Sequence, residues 1–151
     1  MRSKAVILHV EDDPNDVLLV GLAFRKSGVP ATLQVVNDGE QAVQYLAGQG
    51  PYSDRQIFPL PALVLLDLKL PRRSGLEVLS WVRGQEDLRR LPVIMLTSSN
   101  QQADVTRAYD IGLNSYLVKP SALEELIETV RKACSYWLEL NIAPCIRKDL
   151  L

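Results

Sequence analysis

Five reactive side chains stand directly behind short apolar runs: Glu11 and Asp12 follow Val10, Asp67 follows Leu66, Thr97 follows Leu96, and Lys119 follows Val118. If each run is a parallel strand of one sheet, these side chains converge outside its carboxyl edge, where open α/β sheets bind ligands. Three carboxylates gathered there suit a hard divalent cation. Magnesium fits best, because it takes oxygen ligands and commonly keeps waters beside one or two carboxylates and a phosphate oxygen. Asp67 is then a candidate nucleophile, since a carboxylate can accept a phosphoryl group as a mixed anhydride once the two anions are neutralised. Thr97 can donate to one phosphoryl oxygen and Lys119 can pair with another. With the cation on the third, catalysis needs only positioning and electrostatic stabilisation. Singly, each residue has a plainer reading, as a complement to a helix dipole or as a turn cap. Together, at four strand ends, they read as a phospho-aspartate switch.

Alternating strand and helix patterns supply the scaffold. The first strand is read at Ala5–Val10, a nearly continuous apolar run of the kind buried on both faces. Asp13 and Pro14 form a helix start, with the aspartate as N-cap and the proline at the first helical position. Gly28 and Pro30 close that helix. A second strand is expected over 32–36, followed by a helix that Asp38 caps and Gly48 stops. Residues 48–61 hold glycines and prolines without helical or strand period and are expected to form one long loop. Strands over 62–66, 93–96 and 115–118 alternate with helices carrying Leu76, Leu79 and Val82, then residues 101–111, then Leu123, Leu126, Ile127 and Val130. Ser121 and Glu124 read as a capping box for the last helix. Five strand-helix pairs result.

Bulk properties narrow the function. The 151 residues make one ordinary domain with room for an extra helix but not for a separate DNA-binding unit. Lysine plus arginine number 17 against 18 acidic residues, a formal net charge of -1, so no global field draws the chain to nucleic acid or anionic lipid. The amino terminus lacks the pattern of a signal peptide, and every uncharged apolar stretch falls below the ~18 residues of a membrane span. A cytoplasmic location without membrane contact is expected. Cys134 and Cys145 lack metal-ligand spacing and read as reduced thiols. His9 precedes the acidic pair within a buried strand and reads as structural, not as a phosphohistidine.

The motifs V-E-D-D, L-L-D-L-K-L-P, L-T-S-S and Y-L-V-K-P stand in order along residues 4–131. Their sequence and spacing resemble the receiver domain of two-component response regulators. The resemblance implies an α/β, flavodoxin-like (βα)5 doubly wound parallel sheet of order 2-1-3-4-5, with the ligand site at the carboxyl ends of its strands. It further implies that Asp67 is the phosphoacceptor, that Asp12 and Asp67 ligate Mg²⁺ directly and Glu11 largely through water, and that the backbone carbonyl of Lys69 completes the protein ligands. Thr97 and Tyr116 correspond to the family's switch pair, and Lys119-Pro120 to its cis peptide. Lys69 and Ser99 occupy positions where receivers vary and tune dephosphorylation. The long loop before strand three, D-L-K-L-P-R-R-S-G, E-D-L-R-R-L-P-V and the aromatic S-Y-W-L-E tail are similar to the single-domain regulators of cyanobacterial phytochromes. A phytochrome-type histidine kinase is the implied partner.

Other classes fit less well. A phosphatase with an aspartyl nucleophile wants a second acid two residues on, where Lys69 stands. A phosphate-independent adaptor on this fold typically loses an acidic ligand, the acceptor or the lysine, and none is lost. A flavin protein would place a phosphate against Glu11, Asp12 and Asp13. The chain divides into a receiver domain over 1–131 and an end-of-helix and carboxyl extension over 132–151. There Tyr136, Trp137 and Leu138 continue the apolar pattern past the length a receiver core needs. Either the extension folds back on its own domain, or, as expected here, it forms the interface of a symmetric homodimer with the face of helix four, strand five and helix five.

Overall fold

The computed structural model describes residues 4–146, so residues 1–3 of the expected domain and 147–151 of the expected extension lie outside the described residues. Strands β1 (Ala5–Val10), β2 (Ala31–Val36), β3 (Leu63–Leu66), β4 (Val93–Thr97) and β5 (Ser115–Val118) alternate with helices α1 (Pro14–Ser27), α2 (Gly39–Ala47), α3 (Gly75–Gly84), α4 (Gln102–Ile111) and α5 (Leu123–Ser135). All neighbouring strands pair in parallel, in the order β2-β1-β3-β4-β5. This is the flavodoxin-like doubly wound sheet that the sequence implies.

The central strands β1, β3 and β4 read as nearly continuous apolar runs because they are covered on both faces, whereas the edge strands β2 and β5 are only partly buried. Ile7, Leu63, Leu65 and Ile94 pack with Val20 and Phe24 of α1 and Leu126 and Val130 of α5. Leu8, Val10, Val64, Leu66 and Met95 form the other layer with Leu46, Val78, Leu79 and Ala108. Local chemistry fixes where the helices begin and end. Asp13 accepts the Asn15 amide at 2.8 Å ahead of Pro14, and Asp38 accepts the Gln41 amide at 2.7 Å, each satisfying an otherwise orphaned N–H. Gly28 and Gly48 close α1 and α2 in the left-handed conformation, at φ 73° and 68°.

Two expectations need correction. The Ser121 capping box does not form: α5 is N-capped by Ala122 without a side-chain hydrogen bond, its first helical bond runs from the Leu126 amide to the Ala122 carbonyl, and Ser121 lies one residue too early. Glu124 and Glu125 in the first turn complement the helix dipole there instead. The Lys119-Pro120 peptide is trans, as is every peptide among the described residues. A proline bond intrinsically favours trans by ~0.5–1 kcal/mol, so the residue pair does not by itself impose cis.

The loop 48–61 is more ordered than its composition suggests. A 3₁₀ turn at Gly50–Tyr52 brings Tyr52 against Tyr45 and Phe58, with ring centroids 5.2 and 5.1 Å away. Arg55 donates to the carbonyls of Tyr45 at 2.7 Å and Leu46 at 2.8 Å, adding side-chain donors to carbonyls in the last turn of α2. At the other end of the chain, α5 runs into a π turn at Tyr136–Leu140, where the Asn141 amide donates to the Tyr136 carbonyl at 2.7 Å. The chain then folds back until Ile146 packs against the α2–α4 side of the core. Trp137 and Leu138 are half-buried on the α1–α5 side, whereas Tyr136, Leu140 and Ile142 are 49%, 72% and 92% exposed. Among the described residues, no helix is long and apolar enough to cross a membrane.

Candidate functional site

Strand register gathers the reactive side chains. Val10 lies opposite Leu66, Leu66 opposite Met95, and Thr97 opposite Val118, so the residues that follow these strands share one edge of the sheet. Glu11, Asp12, Asp67, Thr97 and Lys119 line one cleft there, together with Asp16, Lys69 and Ser99. Every residue that the sequence assigned to this chemistry is brought into it. Each of Glu11, Asp12 and Asp67 offers an oxygen within 4.8 Å of the others, a spacing one cation can bridge. Asp12 is exposed at the mouth, Asp67 is 9% exposed, and Glu11 is fully buried.

A buried carboxylate needs compensation, and Lys119 supplies it. Its Nζ donates to Glu11 Oε1, to Asp16 Oδ2 at 3.0 Å and to Asp67 Oδ2 at 3.3 Å. The second Glu11 oxygen accepts the amides of Asp12 at 3.1 Å and Asp13 at 3.3 Å. Burial, with the adjoining Asp67, still pushes the Glu11 carboxyl up to about 7. Asp67 has the opposite balance. Burial pushes it up, but the Glu11 contact, the Lys119 charge, Thr97 and the Leu68 amide together hold it below the usual carboxylate range. The Leu68 amide donates to Asp67 Oδ1 at 2.7 Å. Burial opposes the Lys119 charge as well, yet its bonds to Glu11 and Asp16 keep the ammonium above its ordinary pKa. The cleft thus carries an ionised carboxylate beside a fixed ammonium, which is the pairing a carboxylate nucleophile for phosphoryl transfer requires.

The β3–α3 loop that holds Lys69 is seated on α2. The Gly39 amide donates to the Pro71 carbonyl at 3.3 Å, Arg73 pairs with Glu40 at 2.8 Å, and Arg72 takes a left-handed φ of 69°. On the other side, Thr97 is buried and Tyr116 is half-buried. The Tyr116 hydroxyl donates to the Ser99 carbonyl at 3.0 Å, and the Ser99 hydroxyl donates to Asp104 at 2.6 Å, linking β5 to the β4–α4 loop and to α4. His9 is buried with Nδ1 unpartnered, and burial, helped by the Lys119 charge, lowers its pKa to about 4. It is a neutral core residue behind the site.

The chain matches the response regulator receiver domain family over residues 7–131. It belongs to that family. Among similar proteins, Response regulator Rcp1 of Synechocystis sp. (strain ATCC 27184 / PCC 6803 / Kazusa) is 39% identical over 139 residues, 92% of each chain. The probable methanogenesis regulatory protein FilR2 of Methanothrix harundinacea (strain 6Ac) is 40% identical, over 92% of this chain and 87% of that protein. A crystal structure of the phosphorylated cyanobacterial phytochrome response regulator RcpA superposes with a TM-score of 0.86 at 34% identity, covering 94% of this chain and 99% of that one. A crystal structure of the Mn²⁺-bound form of Rcp1 superposes with a TM-score of 0.82 at 39% identity, over 94% and 99%.

Within this receiver, Asp16 is the site residue that sequence reasoning passes over. Its signal was present in D-D-P-N-D: with Asp13 as N-cap, Asp16 falls in the first turn of α1 and close to the strand end. The sequence offered a capping explanation for acidic residues there, and nothing in the local pattern reveals that Lys119, 103 residues away, reaches it.

Proposed function

We propose that this receiver is the phosphorylatable switch of a two-component pathway, taking a phosphoryl group from a phytochrome-type sensor histidine kinase onto Asp67 with Mg²⁺. The observation that carries the reading is Lys119 bridging Glu11 and Asp67 in a cleft that also holds Asp12 and Thr97. An Asp67 oxygen forms a bond to phosphorus as the bond from phosphorus to the kinase's histidine nitrogen breaks, and the imidazole leaves with the bonding pair. Lys119 is held where it can pair with a phosphoryl oxygen, and the Thr97 hydroxyl can donate to another. The all-oxygen set of Glu11, Asp12 and Asp67, with the Lys69 carbonyl, suits Mg²⁺, which when bound neutralises charge on the transferred group. The structure of Rcp1 with Mn²⁺ supports a divalent site, and the naming of RcpA as a phytochrome regulator supports the choice of kinase. The protein's own chemistry is confined to gaining and losing this phosphoryl group. Incubation with a phytochrome-type kinase and labelled ATP should give rapid, Mg²⁺-dependent transfer, and much slower transfer from unrelated kinases. Equal rates from all of them would remove the phytochrome assignment.

Signal output follows from the Thr97 and Tyr116 pair, whose movement biases a second arrangement of the α4–β5–α5 face. That face carries exposed Tyr109, Val118 and Tyr136 beside a groove formed by Leu117, Ala133 and Trp137. We assign it to a symmetric homodimer, in which each face meets its own copy. Because Trp137 and Leu138 also pack on their own core, the discriminating substitution is at the outward residue, Tyr136. Tyr136→Glu meets the interface twice in a symmetric dimer and should weaken association at least tenfold, read by light scattering, with an unaltered circular dichroism spectrum. A wild-type protein that remains monomeric at high micromolar concentration, with and without beryllofluoride, would refute the dimer.

A further inference from the structure

An ammonium has three N–H donors, and in Lys119 all three are committed: to Glu11, to Asp67 and to Asp16. Two of these partners belong to the oxygen set that suits a divalent cation, while the third does not: among the described residues, the cluster able to share an ion comprises Glu11, Asp12 and Asp67. Lys119 therefore faces a competition that the strand-end residues alone cannot resolve. When Glu11 and Asp67 turn their charge to a cation, the ammonium loses two acceptors and gains a like charge beside it. Its side chain is only 8% exposed, so water cannot replace what it loses. Asp16 projects from the first turn of α1 at 31% exposure, on the cleft wall, and remains available.

We propose that Asp16 is the positioning residue for Lys119, the anchor that holds the ammonium beside Asp67 when Glu11 and Asp67 turn to the metal. The inference rests on the Mg²⁺ reading above and adds to it a residue outside the expected receiver set. Asp16 touches neither metal nor phosphoryl group in this scheme; it acts through Lys119 alone. One N–H of the anchored ammonium stays with Asp16, and a donor released from Asp67 is free for a phosphoryl oxygen. Without the anchor, the cheapest course for Lys119 is to swing out toward solvent, which leaves a phosphoryl oxygen unpaired.

The Lys119 ammonium itself reports the answer. In ¹⁵N-labelled full-length protein at low temperature, its Nζ hydrogens should be slow enough in solvent exchange to be observed by NMR, with Mg²⁺ as the only added ligand. In the wild type the signal should persist on saturation with Mg²⁺. In Asp16→Ala it should persist without Mg²⁺, where Glu11 and Asp67 still hold it, and exchange at least tenfold faster once Mg²⁺ is added. A merely structural contribution of Asp16 to α1 would accelerate exchange equally in both conditions and would overturn the proposal, as would a loaded variant as protected as the wild type. The amide shifts of Asp12, Asp67 and Lys69 separate metal binding from anchoring. If Mg²⁺ leaves them unmoved in the wild type, the metal reading fails and the anchor role with it; if they move while ammonium protection is the same in both proteins, only the anchor role fails. Should Asp16→Ala not fold, Asp16→Asn, which keeps an oxygen acceptor without the charge, should show the same metal-dependent acceleration to a smaller degree, and its absence there counts equally against the role.

Discussion

Asp67→Asn is expected to abolish acid-labile phosphorylation, whether the donor is a histidine kinase or acetyl phosphate, with a rate loss of at least ~10³-fold, about 4 kcal/mol of barrier. The substitution preserves shape in a position that is 9% exposed, so the core beneath it should persist. What changes is chemistry. The amide is a poor nucleophile, and its NH₂ group has no lone pair to offer Lys119, whose Nζ lies 3.3 Å from Asp67 Oδ2. One oxygen can still accept the Leu68 amide, so local backbone geometry at the end of β3 should survive. Circular dichroism and melting establish that the fold is intact, and phosphoprotein mass with hydroxylamine lability reads the modification. Labelling at the wild-type rate would move the acceptor elsewhere in the cleft. Asp12→Ala provides the contrasting case: the acceptor remains, a ligand at the exposed mouth is lost, and phosphorylation should be restored by raised Mg²⁺. That separation of acceptor from ligand cannot be obtained at Glu11, whose removal would also leave the buried Lys119 with fewer partners.

The fold was legible because its three central strands are buried on both faces and end abruptly on polar or charged residues. Runs such as Val64 to Leu66 before Asp67 have no amphipathic alternative, and Asp13-Pro14, Asp38, Gly28 and Gly48 punctuate the helices by strictly local physics. The convergence of Glu11, Asp12, Asp67, Thr97 and Lys119 then followed from parallel topology. The missed features depend on partners remote in sequence. Nothing in the local sequence marks Asp16 as a partner of Lys119, or Arg55 as the donor that reaches the carbonyls at the end of α2. Ser121 failed as a cap because hydrogen-bond register, which composition does not fix, starts one residue later. The extension was anticipated as surplus apolar length, but its division between self-packing at Trp137, Leu138 and Ile146 and exposure at Tyr136, Leu140 and Ile142 depends on where the π turn redirects the chain.

Gly75→Ala should destabilise the protein by about 2 kcal/mol or more and slow phosphorylation, against the direction that helix propensity alone gives. Gly75 opens α3 behind the N-cap Ser74, and alanine is favoured over glycine by roughly 1 kcal/mol inside a helix. Sterics oppose that gain. A Cβ on Gly75 would stand 2.2 Å from the Asp67 carbonyl oxygen and 2.9 Å from Leu68 Cα, both backbone atoms that no rotamer change can move. The Gly75 amide also donates to the Leu68 carbonyl at 2.8 Å, so the first turn of α3 is clamped to the end of β3 and cannot retreat without losing that bond. Overpacking of this kind costs ~1–3 kcal/mol and often more when backbone must shift, so sterics exceed propensity. Because the displaced oxygen belongs to Asp67, the strain is delivered to the candidate acceptor itself, and phosphorylation from acetyl phosphate should fall about tenfold through lost positioning. Gly84, at the other end of the same helix, supplies the control. A Cβ there meets nothing within 4 Å, and Gly84→Ala should be neutral or stabilising by up to ~1 kcal/mol, with phosphorylation unchanged. Urea denaturation of the two variants beside the wild type decides the matter: equal stabilities for Gly75→Ala and Gly84→Ala would mean that the contact between α3 and the Asp67 backbone yields freely, and that the end of β3 is not held in the way described.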